Sequence, residues 1–376
     1  MKAFVFCLYP SKAQVRLLAS TLETCRHFYN ECLAERKEAW ENAQRRIGKY
    51  EQLRRVKTVK AENPYAKEVH SHVFQVVVAD LDKAYQAFFR RVKAGYPRFR
   101  GRNRFDSFGF KEYGNGFRVD GRRLKLSGIG RVAVRWHRAM EGKPKTVRIV
   151  RKADGWYACI ACETEQAPLP ATGKTVGVDV GLASLITTSE GEKVAHPRWY
   201  RDEQRKLRVL QRTVSRRTKG GANRRKAVNA LQRQHQRIGN RRANFLNKLA
   251  YALITRYDVI AVEDLRIRNM VRNRHLAKSI LDAGWGYFRQ RLHAKAACAA
   301  RVIVEVDPAY TSQTCSGCGQ RFPEHHDLSV RWVRCDCGLS LDRDENAARN
   351  ILQRAGHVRS ALSSPIGLFA EEAAAL

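Results

Sequence analysis

The spacing of apolar residues divides the chain into a helical, a β-rich and an α/β part. Apolar residues recur at three- and four-residue steps over 11–45 and from about Ser71 to Lys93, which predicts two amphipathic helices. Residues 97–165 change to short apolar runs separated by glycine turns, a pattern typical of a small barrel or sheet. From Thr175 onward, short apolar runs alternate with helical stretches, and this alternation predicts an α/β domain.

Three apolar runs of the α/β part predict buried strands. They are TVGVDVG from Thr175, VIAVEDL at 259–265 and RVIVEV at 301–306. The run SLITTSEGEKVAH after the first of them predicts a hairpin. Helical stretches are predicted from about Tyr200 to Arg256, over 279–300 and in DENAARNILQRAG near the end. Residues 357–376 lack a pattern, and we expect a mobile tail there.

Composition and charge point to a nucleic-acid partner. The chain has 376 residues, with 71 Lys and Arg against 36 Asp and Glu, a net charge of +35. Hydrophobic residues make up 44%, enough for packed cores and against a disordered basic tail. Such a charge destabilises a compact fold unless a polyanion neutralises it, and a basic membrane-surface protein is the weaker alternative. No apolar run approaches the roughly 18 residues of a membrane span, so we expect a cytoplasmic protein.

Four of the ten cysteines crowd together near the carboxyl end, as CSGC and CDC with 16 residues between the pairs. They are Cys315, Cys318, Cys335 and Cys337. Four thiolates at this spacing predict a zinc ribbon with one tetrahedral Zn²⁺, a closed site that is structural rather than catalytic. The second pair is one residue shorter than the usual C-x-x-C, so His325 or His326 is an alternative ligand.

Acidic residues at the ends of predicted buried strands are the candidate catalytic groups. Asp179 and Glu263 each lie in a strand, and Asp342 and Asp344 open the last helix, where either could serve as the N-cap. Any one of these acids alone could be a salt-bridged core residue. Together, and in this order of elements, they predict an RNase H-like nuclease whose carboxylates hold two Mg²⁺ ions about 4 Å apart.

Two basic segments are candidates for contact with a phosphate backbone. Residues 201–248 carry a dense set of arginines and lysines almost without acids, whereas an ordinary solvated face mixes both signs. Residues 90–105 interleave arginines with aromatic rings, a combination suited to single strands or duplex ends. The candidate contacts are Arg90, Arg91, Lys93, Arg98, Phe99, Arg100, Arg102, Arg216, Arg217, Arg224, Arg225, Arg241 and Arg242.

The motifs GVDVGLASLITTSEGE, IAVEDL, PAYTSQTCSGCG and CGLSLDRDENAARNI, in this order, resemble the TnpB family. These are insertion-sequence proteins related to type V CRISPR effectors. The resemblance implies an α/β RNase H-like (RuvC) nuclease core with an inserted zinc ribbon, preceded by a β-barrel (wedge) domain that carries a helical recognition insert. The implied domains are the wedge (1–10 and 95–168), the recognition insert (11–94), the nuclease (172–308 and 338–356), the zinc ribbon (309–337) and the tail (357–376).

The resemblance also implies an RNA-guided DNA endonuclease. A guide RNA from the transposon end pairs with double-stranded target DNA, and the protein reads a short motif beside the target, in the cytoplasm of a prokaryotic cell, on its nucleoid. The implied catalytic acids and Mg²⁺ ligands are Asp179, Glu263 and Asp344, because the family acid precedes the x-N-A-A part of the motif. The implied zinc ligands are the four clustered cysteines.

Three other functions are open. One is a guide-dependent DNA-binding regulator that does not cut, against which the presence of all three acids argues. The second is a strand-transfer transposase that acts without RNA. The third is a junction resolvase, which the core fold alone suggests and which would not need the large basic amino-terminal half.

Overall fold

A computed structural model describes residues 1–90, 95–102, 104–165, 168–322 and 330–363, the last seven as backbone. It divides into two compact units, Met1–Glu165 and Gln166–Leu376. Within the described ranges, no helix combines the length and apolar character that a bilayer crossing requires.

The first unit is an antiparallel sheet with a helical insertion after its first strand. The strands are β1 (Lys2–Tyr9), β2 (Ser107–Phe110), β3 (Phe117–Asp120), β4 (Arg123–Leu126), β5 (Gly130–Arg135), β6 (Lys143–Lys152) and β7 (Gly155–Glu163). The helices are α1 (Lys12–Ala43), α2 (Lys49–Glu62), α3 (Pro64–Lys67) and α4 (Ser71–Phe89). The sheet order is β2-β6-β7-β1-β5-β4-β3. Among the described strands, the two edge strands β2 and β3 do not pair with each other, so the predicted barrel is an open sheet.

Strand β1 joins the amino terminus to the centre of this sheet. It pairs with β5 on one side and β7 on the other, and its alternate residues Phe4, Phe6 and Leu8 are buried. Those side chains form one core with the apolar faces of α1 and α4. This is the pattern of a strand whose alternate side chains face the core on one side of the sheet. Ser11 caps α1 through a reciprocal pair of hydrogen bonds with Gln14.

The second unit is an α/β domain. Its strands are β8 (Thr175–Asp179), β9 (Ser184–Thr188), β10 (Lys193–Ala195), β11 (Val259–Glu263) and β12 (Val302–Val306), followed by the small pair β13 (Trp332–Arg334) and β14 (Ser340–Asp342). Its helices are α5 (Trp199–Arg216), α6 (Ala222–Arg256), α7 (Ile267–Met270), α8 (Ala277–Ala283), α9 (Trp285–Ala299) and α10 (Arg343–Ser363). The main sheet has the order β10-β9-β8-β11-β12.

This topology confirms the predicted strands and the hairpin. β8, β11 and β12 are parallel, and β9 and β10 form the antiparallel hairpin. The predicted helical stretch from Tyr200 to Arg256 is two helices, because the pair Gly220-Gly221 separates α5 from α6. The last helix, α10, continues to Ser363 and so extends into the segment expected to be a tail, whereas 364–376 lies outside the described residues.

Helix α10 packs closely against β8 because residue 177 has no side chain. A Cβ at Gly177 would collide with the carbonyl oxygen of Ala348 and lie 2.9 Å from Cβ of Leu352. Only glycine allows this approach between helix and strand. Ala348 is one turn after Asp344, so the contact fixes the start of α10 against the sheet.

Candidate functional site

Two of the predicted acids lie at the same edge of the parallel sheet. Asp179 is the last residue of β8 and Glu263 is the last residue of β11. The two strands are hydrogen-bonded neighbours with Val178 opposite Val262. Because the carboxyl ends of parallel strands meet at one edge, this register brings the two acids side by side, where open α/β sheets bind their ligands.

The third acid comes from the first turn of α10, and the structure separates the roles of the two candidates there. Asp342 Oδ1 accepts hydrogen bonds from the backbone N–H groups of Asp344 (3.0 Å) and Glu345 (3.3 Å). Lys193 Nζ lies 2.6 Å from the other oxygen of Asp342. Asp342 is therefore the cap of the helix, and Asp344 is the acid whose charge acts on Asp179.

Burial and the charges of two other acids act together on Asp179. Burial raises the pKa of Asp179 well above its ordinary value, and the negative charges of Glu263 and Asp344 raise it further. Burial also raises the pKa of Glu263, against the lowering effect of a hydrogen bond from the Thr311 hydroxyl. A carboxyl whose pKa is raised this far, as that of Asp179 is, ionises readily only beside a cation, a pattern common at functional sites.

Sequence reasoning missed two residues that contact these acids. Thr311 Oγ1 donates to Glu263 Oε1 over 2.5 Å, and Arg331 Nη1 lies 3.4 Å from Asp344 Oδ1. Neither residue belongs to a periodic pattern or a charge run. Their positions depend on long-range folding that spacing in the sequence does not encode.

A basic cavity adjoins the acids through Arg331. It measures about 270 Å³, and its lining includes His196, Arg198, Arg201 and Lys278 as well as Arg331. The lining has one buried carboxylate, that of Asp282, whose two oxygens share the backbone N–H of Tyr200 as a bifurcated hydrogen-bond donor. The cavity therefore presents net positive charge, which favours an anionic ligand.

The four clustered cysteines converge as predicted. Their sulfur atoms all lie within 4.8 Å of one another, with Cys315–Cys337 and Cys318–Cys335 both at 3.6 Å. Tetrahedral Zn²⁺ with Zn–S bonds of about 2.3 Å requires sulfur atoms about 3.8 Å apart. Although burial opposes it, hydrogen bonds from the backbone N–H groups of Cys318 and Gly317 lower the pKa of Cys315 to about 7. These four side chains can hold Zn²⁺ despite the shortened second pair.

Across the described ranges, the four cysteines are the one group of three or more Cys, His, Asp or Glu side chains whose ligand atoms all lie within 4.8 Å of one another. The three acids are thus spread more widely than the ligands of one compact ion cage. The alternative zinc ligands His325 and His326 lie outside the described residues.

Three of the candidate arginines of 201–248 have hydrogen-bond or ion-pair partners among the described residues. Arg224 Nη1 donates to the carbonyls of Val214 and Arg217 at the end of α5. Arg241 pairs with Glu203, and Arg242 donates to the carbonyl of Leu281. The other three have exposed side chains and are Arg216, Arg217 and Arg225.

The aromatic-basic segment of the first unit is anchored to α1. The backbone N–H of Arg100 donates to Asn30 Oδ1 over 2.8 Å, and the Arg100 guanidinium lies 5.6 Å from the ring centre of Tyr29. The remaining described candidates of this segment are exposed; they are Arg90, Arg98, Phe99 and Arg102. Arg91 and Lys93 lie outside the described residues.

Comparison with known structures defines the class of fold. The chain superposes on Cas12f1, from a structure titled "Cryo-EM structure of the Cas12f1-sgRNA-target DNA complex", with a TM-score of 0.60 at 12% identity, over 90% of this chain and 82% of that one. Residues 285–351, which include all four clustered cysteines and Asp344, match the family "Cas12f1-like, TNB domain". The fold is thus of the Cas12f1 type.

Sequence comparison gives the family. Residues 159–274 match the family "Probable transposase". A "Putative RNA-guided DNA endonuclease" of Streptomyces pristinaespiralis is 36% identical over 93% of this chain and 88% of its own length. The "Putative RNA-guided DNA endonuclease InsQ" of Escherichia coli is 32% identical over 95% and 92%. The chain belongs to the TnpB family of insertion-sequence proteins.

One matched description differs from the local structure. Residues 1–45 match a family described as "Helix-turn-helix domain". Here they form β1 and the single 32-residue helix α1, which ends at Ala43. The amino-terminal segment is therefore part of a sheet and a long helix, with no turn between two short helices inside it.

Proposed function

We propose that the protein is an RNA-guided DNA endonuclease that hydrolyses DNA phosphodiesters by two-metal catalysis. Its partners are a guide RNA from the transposon end and double-stranded target DNA, and it reads a short motif beside the target. The observation that carries this function is the cluster of Asp179, Glu263 and Asp344, which come from two strand ends and a helix start. The names of full-length relatives, which describe RNA-guided DNA endonucleases, support the guide.

Each group at the site has a chemical role in this proposal. When bound, Mg²⁺ supplies a water of lowered pKa and neutralises charge on the leaving oxygen. The three carboxylates would hold the ions, because hard divalent cations prefer oxygen ligands. The raised pKa of Asp179 supports this, since burial and then the charges of Glu263 and Asp344 disfavour its ionised form until a cation neutralises it. Arg331 and the basic cavity would attract the phosphodiester of the strand to be cut.

The other parts of the chain have supporting roles. We assign 172–308 and 338–356 to a RuvC-like nuclease, 309–337 to a zinc ribbon, 1–10 and 95–168 to the wedge, and 11–94 to a recognition insert. The sulfur geometry of the cysteine cluster supports one structural Zn²⁺. The exposed arginines of both basic segments are proposed contacts to guide or target, and each phosphate they neutralise on duplex DNA should add about −0.9 to the log–log salt slope.

The test is plasmid cleavage in Mg²⁺ by the protein purified with its copurifying RNA, after that RNA has been sequenced. Wild type should cut a plasmid that carries the matching target, and Asp179→Ala should not. Asp264→Asn is the matched control, because Asp264 follows Glu263 but pairs with Arg289 at 2.6 Å and is largely exposed. Equal products from wild type and Asp179→Ala would refute the catalytic assignment.

The same experiment separates the alternatives. Guide-dependent binding by wild type without any cut would indicate a regulator. Joined rather than hydrolysed strands would indicate a transposase. If RNase-treated protein still cut with the same sequence preference, the guide would be excluded.

A further inference from the structure

A buried threonine holds one of the proposed metal ligands. Thr311 is 4% exposed, and its hydroxyl donates to Glu263 Oε1 over 2.5 Å. The carbonyl of Pro308 is a longer contact of the same oxygen at 3.2 Å. A hydroxyl has one proton to donate, so the shorter, charge-assisted bond to the carboxylate takes it.

The backbone around Thr311 is fixed by side-chain amides of α10. Asn350 Nδ2 donates to the carbonyls of Thr311 (2.8 Å) and Thr314 (2.6 Å). Asn346 Nδ2 donates to the carbonyl of Thr314 over 2.7 Å, and Asn346 Oδ1 accepts from the N–H of Ser316 over 2.9 Å. Both asparagines are buried, so these bonds are sheltered from water.

This network connects two acids of the site through one rigid element. Helix α10 carries Asp344 and Asn346 in its first turn and Asn350 one turn further on. The asparagines fix the segment that contains Thr311, and Thr311 fixes Glu263. A free glutamate side chain samples several rotamers, whereas a hydrogen bond to one oxygen restrains the carboxylate and leaves the other oxygen to bind a cation.

We propose that Thr311 is a positioning residue that orients the Glu263 carboxylate for a divalent cation. The inference rests on the proposed nuclease function and adds a residue that acts through Glu263 without touching substrate. The competing explanation is that Thr311 merely fills space in the loop. The two explanations differ in whether the hydroxyl or the shape of the side chain is required.

The experiment compares two pairs of side chains that differ in the hydroxyl. The first pair is wild type and Thr311→Val, in which a methyl group replaces the hydroxyl. The second pair is Thr311→Ser, which keeps the hydroxyl, and Thr311→Ala, which lacks it. The RNA-bound proteins are titrated with Mn²⁺ by electron paramagnetic resonance without DNA, and the Mg²⁺ dependence of plasmid cleavage is measured separately. Loss of an outer-shell partner should weaken metal affinity about 10- to 100-fold, so Thr311→Val should show that loss. Thr311→Ser should stay close to wild type.

Each outcome bears on the inference. Wild-type Mn²⁺ affinity in Thr311→Val, or an equal loss in Thr311→Ser and Thr311→Ala, would overturn it. If thermal unfolding shows that Thr311→Val does not fold, the Ser and Ala pair decides the question alone. If the wild type neither binds Mn²⁺ nor cuts, the proposed function itself is refuted. If the wild type does both and Thr311→Val equals it, only the inference about Thr311 is refuted.

Discussion

Replacing Gly177 by alanine should damage the site without changing any polar group. A Cβ at this position would collide with the carbonyl oxygen of Ala348 and lie 2.9 Å from the Leu352 backbone nitrogen, both in α10. Backbone atoms cannot swing aside, so helix and strand would have to separate by more than about 1 Å, because ordinary contact begins at 3.4 Å and the added Cβ would lie far closer than that to the Ala348 oxygen. Overpacking of this kind costs about 1–3 kcal/mol of stability.

The displacement should affect cleavage more than stability. Asp344 lies one turn before Ala348 on the same helix, so a shift of α10 moves this acid relative to Asp179. A misplacement of about 1 Å at a reacting centre costs about 100-fold in rate. We therefore expect Gly177→Ala to fold with a lowered melting temperature and to cut its target about 100-fold more slowly.

The assay pairs thermal unfolding with single-turnover cleavage by the RNA-bound protein. Gly239→Ala is the control: Gly239 lies inside α6, and a Cβ there meets nothing within 4 Å. That substitution should raise stability by up to about 1 kcal/mol, because alanine is the better helix former, and leave the cleavage rate unchanged. Wild-type cleavage by Gly177→Ala would refute the claim that the contact between β8 and α10 sets the geometry of the acids.

Three further substitutions address charge, zinc and nucleic-acid contact. The pKa of Asp179 is higher in the folded than in the unfolded protein, so ionisation of Asp179 destabilises the fold once the pH exceeds the ordinary carboxyl range. Asp179→Asn should therefore raise the melting temperature in EDTA at neutral pH. Below about pH 4 it should not, because the carboxyl is then protonated in both states. Cys337→Ser should lower the zinc content measured by mass spectrometry, whereas Cys298→Ser, at an exposed lone cysteine, should keep one zinc per chain. Arg225→Ala should weaken RNA binding and reduce the salt slope by about 1 without a change in melting temperature. Arg224→Ala should instead lower the melting temperature, because Arg224 caps the end of α5.

The sequence was sufficient for features that have a local signal. An acid inside an apolar run, as at Asp179 and Glu263, is unusual because burial penalises its charge, and the structure brings both to one sheet edge. The cysteine pairs are similarly visible from spacing, and their sulfur atoms converge. Periodicity, in contrast, did not show that Gly220-Gly221 divides the helical stretch, since charged residues continue on both sides.

Contacts that depend on distant parts of the chain could not be predicted. From residue types alone Asp342 and Asp344 are both plausible caps. The family resemblance implies that Asp344 is the catalytic acid, and the hydrogen bonds of Asp342 to the helix start identify Asp342 as the cap. Thr311 lies 48 positions from Glu263, and no pattern of residue types connects them. Such contacts follow from where α10 packs, which is a property of the whole domain.

Helix α10 explains why the cysteine cluster and one of the three acids, Asp344, occur in one short stretch of sequence. Its first turn carries Asp344, Ala348 packs on β8, and Asn346 binds the backbone on both sides of Cys315. Zinc binding by the cysteines would stabilise the loop that these bonds hold, because a structural metal contributes its binding energy to folding. That loop includes Thr311, the hydrogen-bond partner of Glu263. In the proposed function, zinc at the cysteines supports hydrolysis without contact to the substrate, because it stabilises the loop that holds Thr311 and is bonded to α10.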